Sequence, residues 1–443
     1  MTHKINHADI KEWAANYDGE PFDAILCDPP YELGFMGKSW DSTGIAFDTD
    51  LWKDLLRICK PGAHLLAFSG SRTYHRMAVA IEDAGFEIRD MIEWVYGSGF
   101  PKSLNIGKAV DKIQGNEREV VGNYTKTDFS DIKSGDNKMF NHDGTKKIEL
   151  DITKGTSEWE GYGTALKPAH EPCVLARKPL DGTVANNVLK HGTGGLNIDG
   201  TRVGTETLGG GTMPDLRDVG AMSKENSGID KLSFGQNHRP ATRKEQPTYT
   251  GRFPANLIHD GSDEVEAVFP QTGASKAAKR GLQHSGRHGG IADGGNIKDG
   301  TDTVRGHNDN GGSASRFFYT AKASKSERNA GLEGFEPQIT NDGREKDIDN
   351  AFQRGTTLRS NHHPTVKPLS LTKYLATLIK PPTGGRLLVP FSGSGSEMIG
   401  ALQAGWGYVE GVELTEEYIP IAEARIKYWL NKVEEESKQG VLL

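Results

Sequence analysis

The sequence predicts an α/β fold in which a glycine-rich insertion divides a single α/β domain. Apolar strand segments alternate with helical segments near the start of the chain and again near its end, and this alternation favours a parallel sheet. Between residues 182 and 312 lie 25 of the chain's 55 glycines, a composition typical of short strands and long loops. We therefore expect two α/β segments that fold together across the insertion.

The elements of the first segment follow from apolar runs and their terminators. Pro29 and Pro30 end the first apolar strand, and Pro61-Gly62 separates a helix from the second strand. The expected elements are a helix near 9–16, a strand at 23–28, a helix at 50–59, a strand at 64–70, a helix at 72–84 and a strand at 86–96. From 97 to about 160 the periodicity is weak and predicts a loop or small insertion, after which 172–179 predicts one more strand.

The second segment begins at about residue 364, where the α/β pattern returns. Its expected elements are a helix at 369–380, a strand at 386–390, a glycine-rich turn, a helix to about 404, a strand at 407–414 and an amphipathic helix from about 416.

Composition excludes several classes of protein. The 443 residues are 35% apolar, which is sufficient for a core, and no apolar run reaches the length of a membrane span. The polar start has no signal-peptide core, so we expect a cytoplasmic protein. Cys27, Cys59 and Cys173 lie far apart and predict buried thiols, with no disulfide and no metal. His362-His363 lacks a third ligand nearby and is interpreted as a polar approach to a helix.

Asp28-Pro29-Pro30-Tyr31 carries the clearest chemical signal. It follows a buried strand, where open α/β sheets bind ligands. The Asp28 carboxylate and the Pro29 carbonyl can each accept one N–H of an exocyclic base amine, directing its lone pair at a methyl donor. Pro29 and Pro30 stiffen the backbone, and Tyr31 offers a flat face on which a base taken out of a nucleic-acid duplex can stack. Trp40 and Phe35 follow in a loop that either closes over that base or belongs to the core.

The segment RLLVPFSGSGSEMIGALQAG predicts a strand, a Gly-x-Gly turn and a helix. Gly393 and Gly395 allow close approach of a ligand, and Glu413 follows at the end of the next strand, where an acid that binds ribose belongs. Dinucleotide binding requires a further glycine, but Met398 occupies that position. A nucleoside without pyrophosphate fits better, and S-adenosylmethionine also supplies a methyl group.

Together these motifs resemble the amino-methylating DNA methyltransferases of the beta arrangement. The match comprises DPPY at 28–31, HEPCVLARKP at 170–179, HPTVKP at 363–368, FSGSGS at 391–396 and GVELTEEYIPIAEARI at 411–426. MGKSWD, GTALKPAHEP, GGLNIDGTRV and RFFYTAKASKSER are more narrowly similar to methylases of phages and prophages. The resemblance implies a Rossmann-like mixed sheet of seven strands in permuted order.

The resemblance also implies site residues. The target base would be held by Asp28, Pro29, Pro30 and Tyr31. S-adenosylmethionine would contact Asp9, Asp28, Lys367, Phe391, Ser392, Gly393, Gly395, Ser396 and Glu413. Lys367 would meet the methionine carboxylate. The family usually has Asp where this chain has Val389, so a contact of that acid must be absent or supplied elsewhere.

The expected division assigns 1–115 to the catalytic half, 116–160 to a polar insertion, 161–182 to a returning strand, 183–355 to target recognition and 356–443 to the cofactor half. The chain carries a net charge of −7, but residues 276–328 contain ten Lys/Arg against five acids. We therefore expect double-stranded DNA as the partner, with phosphate contacts from Arg280, Arg287, Arg316, Lys322 and Lys325.

The predicted reaction is methylation of adenine N6 in DNA, in a bacterial or phage-infected cell. The sequence leaves open whether a restriction enzyme accompanies the protein in a restriction-modification system. Asp28 favours adenine because the amino-cytosine branch more often has Ser there. An N4-cytosine enzyme is the nearest alternative, followed by an RNA or protein amine methyltransferase and a catalytically dead DNA-binding protein. A carbon-5 cytosine enzyme would need Cys173, which lies within an apolar strand. A homodimer is left open.

Overall fold

The computed structural model describes residues 1–33, 39–99, 103–128, 146–209, 212–214, 243–245, 248–274, 278–279, 304–305, 309–322, 324–340 and 357–438. The chain divides into two compact units. Unit 1 comprises residues 1–201, 255–265 and 319–443, and unit 2 comprises residues 202–254 and 266–318. The five-part division expected from the sequence stays a prediction.

The described strands are β1 (Thr2–His7), β2 (Phe22–Cys27), β3 (Cys59–Phe68), β4 (Glu87–Val95), β5 (Glu119–Asp128), β6 (Lys146–Lys154), β7 (His170–Arg177), β8 (Val203–Gly209), β9 (Thr212–Pro214), β10 (Arg243–Glu245), β11 (Thr248–Arg252), β12 (Leu257–His259), β13 (Gln271–Thr272), β14 (Ala278–Lys279), β15 (Val304–Arg305), β16 (Gly312–Ser313), β17 (Tyr319–Thr320), β18 (Gln338–Thr340), β19 (Thr357–Arg359), β20 (Arg386–Val389) and β21 (Tyr408–Glu413). The described α-helices are α1 (Ile10–Ala15), α2 (Thr49–Arg57), α3 (Tyr74–Asp83), α4 (Ile106–Gln114), α5 (Val184–His191), α6 (Asp263–Glu266), α7 (Lys325–Asn329), α8 (Leu369–Leu378), α9 (Ser396–Gln403) and α10 (Ile419–Lys438).

Unit 1 is built on a mixed sheet that, among the described residues, has nine strands in the order β1-β21-β20-β2-β3-β7-β4-β12-β17. Neighbouring strands are parallel except where β7 pairs antiparallel with β3 and with β4. The strands from β1 to β4 in this order form the predicted seven-stranded mixed sheet, and β12 and β17 extend it. Because β20 and β21 lie between β1 and β2, the permuted order is confirmed.

Both faces of the sheet are covered, as the apolar run of β2 requires. Ala24 and Leu26 of β2 belong to the apolar cluster that includes α8 and α9. Ile25 and Cys27 belong to the cluster that includes α2 and α3. Successive side chains of a strand point to opposite faces, so the fully buried β2 separates two helical layers. The helical and strand segments expected on both sides of the insertion are therefore confirmed, with ends shifted by a few residues.

Two regions depart from the sequence-based expectation. The edge strand β1 was not predicted, because its alternating exposed and half-buried residues lack an apolar run. The segment 97–160, expected to be a loop or small insertion, contains α4 and the antiparallel hairpin β5–β6. Arg118, only 10% exposed, pairs with Asp111 of α4 and with Glu160, whose Oε2 lies 2.9 Å away. This ion cluster stabilises a segment whose composition is largely polar.

Unit 2 contains the antiparallel pair β8–β11 and a cluster of charged side chains. Asp309 accepts from Arg252 at 3.0 Å and from Arg316 at 2.6 Å. Both guanidinium groups also lie over the Phe317 ring, at 4.2 and 4.3 Å from its centroid. Arg252 and Arg316 of unit 2 therefore share an internal acidic partner.

The three cysteines are buried free thiols, as predicted. No cluster of metal-binding side chains occurs among the described residues. The helices that the structure describes include none with the length and apolarity needed to cross a bilayer.

Candidate active site

The candidate site lies where the strand order of unit 1 reverses. Strands β2 and β20 are parallel neighbours, and the sheet continues from β2 to β3 on one side and from β20 to β21 on the other. Connections diverging from such a pair leave a crevice beyond the carboxyl ends of the strands. DPPY follows β2 and FSGSGS follows β20, so the two halves of the sequence meet there. Both border one cavity of about 1160 Å³.

Asp28 is held by the buried ammonium of Lys367. The Lys367 Nζ donates to Asp28 Oδ2 at 2.6 Å and to Tyr31 Oη at 2.9 Å. It also lies 3.2 Å from Glu171 Oε2, and the Tyr31 hydroxyl donates to the same carboxylate at 2.9 Å. These four side chains form a closed network, which we name the DPPY network.

Burial alone would lower the pKa of Lys367, but the negative charges of Asp28 and Glu171 outweigh it and raise the pKa. The ammonium is therefore charged, and its N–H groups are directed at Asp28 and Tyr31. Two of its three N–H groups donate to Asp28 and Tyr31, and the expected contact of Lys367 with a methionine carboxylate stays a prediction.

One oxygen of Asp28 is left for a ligand. Oδ2 accepts from Lys367, whereas the buried Oδ1 has no hydrogen-bond partner among the described residues. A buried carboxylate oxygen without a donor is costly, so it indicates a position that a bound group completes. Thr73 Oγ1 fixes the adjacent backbone by donating to the Tyr31 carbonyl at 2.8 Å.

The turn after β20 has the close-approach geometry expected of a ligand cradle. Gly393 has a φ of +48°, and a Cβ there would lie 2.8 Å from His363 Nε2. Gly395 has a φ of +81° and contacts Ala422. Both therefore need glycine. The buried Ser392 Oγ has no partner among the described residues and lies in the cavity wall, where a ligand can reach it.

Arg425 of α10 braces this turn from below. Its Nη1 donates to the Ser394 carbonyl at 2.5 Å, to Ser394 Oγ at 3.0 Å and to Ser396 Oγ at 3.2 Å. The side chain is fully buried, and this burial lowers its pKa to about 10. The turn is thus preorganised by a residue that the sequence motif did not reveal.

The other expected cofactor residues also border the cavity. Glu413, 9% exposed, ends β21 and accepts from the amides of Gly393 at 2.7 Å and Thr415 at 2.8 Å. Burial raises the pKa of Glu413. Asp9 caps α1 by accepting from the Lys11 amide at 2.7 Å, and Phe391 packs against the apolar layer of α2 and α3. Their direct contacts with a cofactor stay predictions.

Two titratable residues of the cavity were not predicted as part of the site. Glu397 is 4% exposed in the first turn of α9, and burial, with the Asp28 charge, raises its pKa to about 7. His363 also borders the cavity, and burial lowers its pKa to about 3. The interpretation of His362-His363 as a polar approach to a helix does not identify His363 as part of the site, and the Gly-x-Gly pattern does not identify Glu397. The position of both side chains depends on tertiary packing.

Two further expectations concern individual residues. Val389, where the family usually has an acid, is fully buried in the apolar core and does not border the cavity. Cys173 is 1% exposed, and burial raises the pKa of its thiol well above the usual value. A buried neutral thiol cannot serve as the nucleophile of a carbon-5 enzyme, which agrees with the sequence-based exclusion.

The predicted DNA-binding residues are described only in part. Arg280 and Arg287, together with Phe35, lie outside the described residues, and the side chains of Trp40 and Lys325 do too. Lys322 is exposed. Arg316 instead has internal partners, since it pairs with Asp309 and donates to the Ser313 carbonyl at 2.6 Å. Its structural role in unit 2 is therefore clear, whereas its phosphate contact stays a prediction.

Comparison with known proteins gives a partial relative and several distant structures. The Type II methyltransferase M.HindIII of Haemophilus influenzae is 26% identical over 144 residues, covering 32% of this chain and 35% of that protein. The matched stretch thus spans about a third of the relative. The M1.HpyAVI–SAM complex is 11% identical, covering 96% of this chain and 100% of that one, with a TM-score of 0.36.

The PvuII DNA methyltransferase, described as cytosine-N4-specific, is 10% identical and covers 98% of this chain and 93% of that one, with a TM-score of 0.38. The fold assignment depends on the strand order of unit 1 and not on these distant similarities. A family model described as DNA methylase, N6_N4_Mtase, matches residues 22–260, which is more than half of the 443 residues. The matched segment includes β2, DPPY and β7. The chain therefore belongs to the N6/N4 DNA methylase family.

Proposed function

We propose that this protein transfers a methyl group from S-adenosylmethionine to the exocyclic amino nitrogen of a base in double-stranded DNA, with adenine N6 as the target. The observation that carries the proposal is the carboxylate of Asp28, which has one oxygen fixed by Lys367 and one buried oxygen without a described partner. An amino group supplies the missing donor.

The base side of the reaction depends on orientation. An exocyclic amine is a weak nucleophile because its lone pair is delocalised into the ring. Two acceptors, Asp28 Oδ1 and the Pro29 carbonyl, favour a pyramidal nitrogen by taking one N–H each. Because Lys367 and Glu171 hold the side chains of Asp28 and Tyr31, the Asp28 acceptor is positioned before the base arrives. The Asp28 carboxylate, which accepts one N–H of the amine, can also take the proton that the methylated nitrogen releases.

The cofactor side depends on the turn after β20 and on the acid that ends β21. When bound, S-adenosylmethionine supplies an electrophilic methyl group. Gly393 and Gly395 leave room for a ligand, the Ser392 hydroxyl offers a free hydrogen-bonding atom, and Glu413 would accept ribose hydroxyls. The cavity exceeds the roughly 300–1,000 Å³ of a single small-ligand pocket, which suits a cofactor and a flipped base together.

The choice of adenine over cytosine depends on the pocket walls and on Asp28. The two amines present similar geometry to the same acceptors, so discrimination requires hydrogen bonds on the edge of the base that cytosine leaves unmet. Each such unmet bond costs about 1–3 kcal/mol, enough for a roughly tenfold to hundredfold preference. N4-methylcytosine as the major product would support the second candidate, an N4-cytosine methyltransferase.

Recognition of DNA is assigned mainly to 183–355. The segment contains the glycine-rich stretch and the whole of the basic excess between 276 and 328. The proposed phosphate contacts, which set the register of the protein on the duplex without carrying sequence information, come from Arg280, Arg287, Arg316, Lys322 and Lys325.

The experiment is nucleoside mass spectrometry of plasmid DNA after incubation with the protein and S-adenosylmethionine. N6-methyladenine is expected with the wild type. Asp28→Asn should abolish transfer while DNA binding persists, because the lost interaction matters most in the transition state. Asp18→Ala changes an exposed aspartate and serves as the control.

DNA binding by the wild type without any methylated nucleoside would indicate a catalytically dead binding protein and contradict the proposal. Methylation of RNA or of a protein amine in preference to DNA would contradict it as well. Substantial turnover by Asp28→Asn would remove Asp28 from its assigned role.

A further inference from the structure

An exposed apolar group borders the mouth of the candidate site. The loop between Gly163 and Pro168 connects the α4–hairpin segment to β7. Thr164, Ala165, Leu166, Lys167 and Pro168 line the same cavity as Asp28 and Tyr31. Leu166 is 93% exposed.

The backbone of this loop is fixed at its first end. Ser103 Oγ accepts from the amides of Thr164 at 2.9 Å and Ala165 at 3.2 Å. The Leu104 amide donates to Thr164 Oγ1 at 3.0 Å. A Cβ on Gly163 would lie 2.4 Å from Ser103 Oγ, so glycine permits the close approach.

The loop is also fixed at its second end. A Cβ on Gly99 would lie 1.7 Å from the Pro168 carbonyl oxygen, so the backbone of Pro168 packs directly on that glycine. The Tyr96 amide donates to the Ala169 carbonyl at 2.9 Å. The loop backbone is therefore held on both sides of Leu166, and the exposed side chain projects from a fixed position.

Leu166 does not stand alone. Leu104, Trp159 and Tyr162 are 60%, 43% and 57% exposed, and hydrogen bonds join their segments, since the Ile106 amide donates to the Tyr162 carbonyl at 3.0 Å. We name Leu104, Trp159, Tyr162 and Leu166 the mouth patch. Single exposed apolar residues are ordinary, but several on joined segments, of which Leu166 lines the cavity, indicate an interaction surface.

The mouth patch also has exposed basic neighbours. Lys167 follows Leu166 in the chain, and Arg72 lines the same cavity. An exposed apolar side chain and exposed cations around one cavity suit a polyanion with an apolar interior, namely the stacked bases of a duplex between its phosphates. A purely apolar protein partner would offer no negative charge to Lys167 and Arg72.

We propose that Leu166 inserts into the base stack of duplex DNA and fills the place that the target base leaves when it enters the cavity. The inference depends on the proposed function, because it takes the occupant of the cavity to be a base. Taking a base out of a duplex opens an apolar gap, and side chains such as leucine enter gaps of this kind. Lys167 and Arg72 then contact the flanking phosphates.

The test compares wild type, Leu166→Ala and the control Ile113→Ala on two duplexes. Ile113 is 86% exposed on α4 and does not line the cavity. One duplex carries the site that the wild type modifies in plasmid DNA, and the other has an abasic position opposite the target base. Single-turnover transfer from labelled S-adenosylmethionine gives the rates on these two duplexes. Separate copies of both duplexes, in which 2-aminopurine replaces the target adenine and no transfer occurs, report unstacking by their fluorescence.

Leu166→Ala should slow transfer to the intact duplex by roughly tenfold or more and reduce the fluorescence rise, because the few kcal/mol needed to unpair a base is no longer offset. Transfer to the abasic duplex should change by less than about twofold, since a base without a partner leaves its stack at lower cost. Ile113→Ala should match the wild type on both duplexes.

Equal rates for wild type and Leu166→Ala on the intact duplex would overturn the inference while leaving the proposed function intact. An equal loss on both duplexes would overturn it as well, because it would indicate a general role in binding or folding. Absence of transfer by the wild type to either duplex would instead contradict the proposed function, and this inference with it.

Discussion

Replacing Lys367 by methionine tests whether the DPPY network is held by charge compensation. The Lys367 side chain is 5% exposed, and its ammonium lies 2.6 Å from Asp28 Oδ2 and 3.2 Å from Glu171 Oε2. With the ammonium, the three charged groups carry a net charge of −1, and without it they carry −2 in the same space. Removing one partner of a buried ion pair typically costs about 3–5 kcal/mol, so a loss of this order in the free energy of unfolding is expected.

The double variant Lys367→Met/Glu171→Gln separates charge from packing. It restores the net charge of −1 and keeps Asp28 ionised, so it should recover a large part of the lost stability. Urea unfolding of wild type, both single variants and the double variant gives the coupling energy. Lys373→Met removes an exposed lysine of α8 and should change stability by less than about 0.5 kcal/mol.

Transfer activity provides a second measurement on the same variants. In Lys367→Met the Asp28 carboxylate loses the ammonium that fixes its Oδ2, so kcat/KM should fall by roughly tenfold or more. If Lys367→Met is as stable as the Lys373→Met control, and its kcat/KM matches the wild type, then Lys367 does not compensate the network.

Two further predictions concern the turn after β20 and the acid in the first turn of α9. Gly393→Ala should weaken S-adenosylmethionine binding by roughly tenfold or more in titration calorimetry, because its φ is +48° and the added Cβ would lie 2.8 Å from His363 Nε2. Gly334→Ala, at an open position, should bind normally. Glu397→Gln should flatten the dependence of stability on pH. The pKa of Glu397 is about 7 in the folded protein and 4.5 in the unfolded chain, so stability should fall between these values as pH rises. Above pH 7 the variant should be more stable by on the order of 2–3 kcal/mol, with little difference near pH 4, and equal pH profiles would contradict this.

The parts of the site that the sequence predicts are those carried by short-range signals. The fully apolar β2 followed by two prolines, and the apolar β20 followed by Gly-x-Gly, each identify a strand end within about ten residues. The general placement of ligands at the carboxyl ends of parallel strands then predicts that the two motifs meet. The pairing of β2 with β20 confirms it.

The parts that could not be predicted depend on distant contacts. Glu171 reaches Tyr31 across 140 positions of the chain because β7 enters the sheet antiparallel, which brings its first residues to the carboxyl ends of its neighbours. No local pattern around Glu171 encodes that reversal. The role of the fully buried Arg425 could not be predicted either, because in sequence it resembles any basic residue of an amphipathic helix. Its role follows from the hydrogen bond to the Ser394 carbonyl, which only the fold brings within reach.

The charge distribution of the cavity also addresses the missing acid at position 389. Seven carboxyl groups line the cavity, among them those of Asp28, Glu397 and Glu413, against four lysine and arginine side chains, of which Lys367 is already engaged with Asp28 and Glu171. The raised pKa values of Glu397 and Glu413 express the cost of ionising them there. A ligand with a positive charge lowers that cost, and the sulfonium of S-adenosylmethionine carries one. Glu397 borders the cavity, whereas Val389 is buried in the apolar core and does not. We therefore expect that replacing Glu397 by glutamine stabilises the free protein above pH 7 and weakens the binding of a cationic ligand.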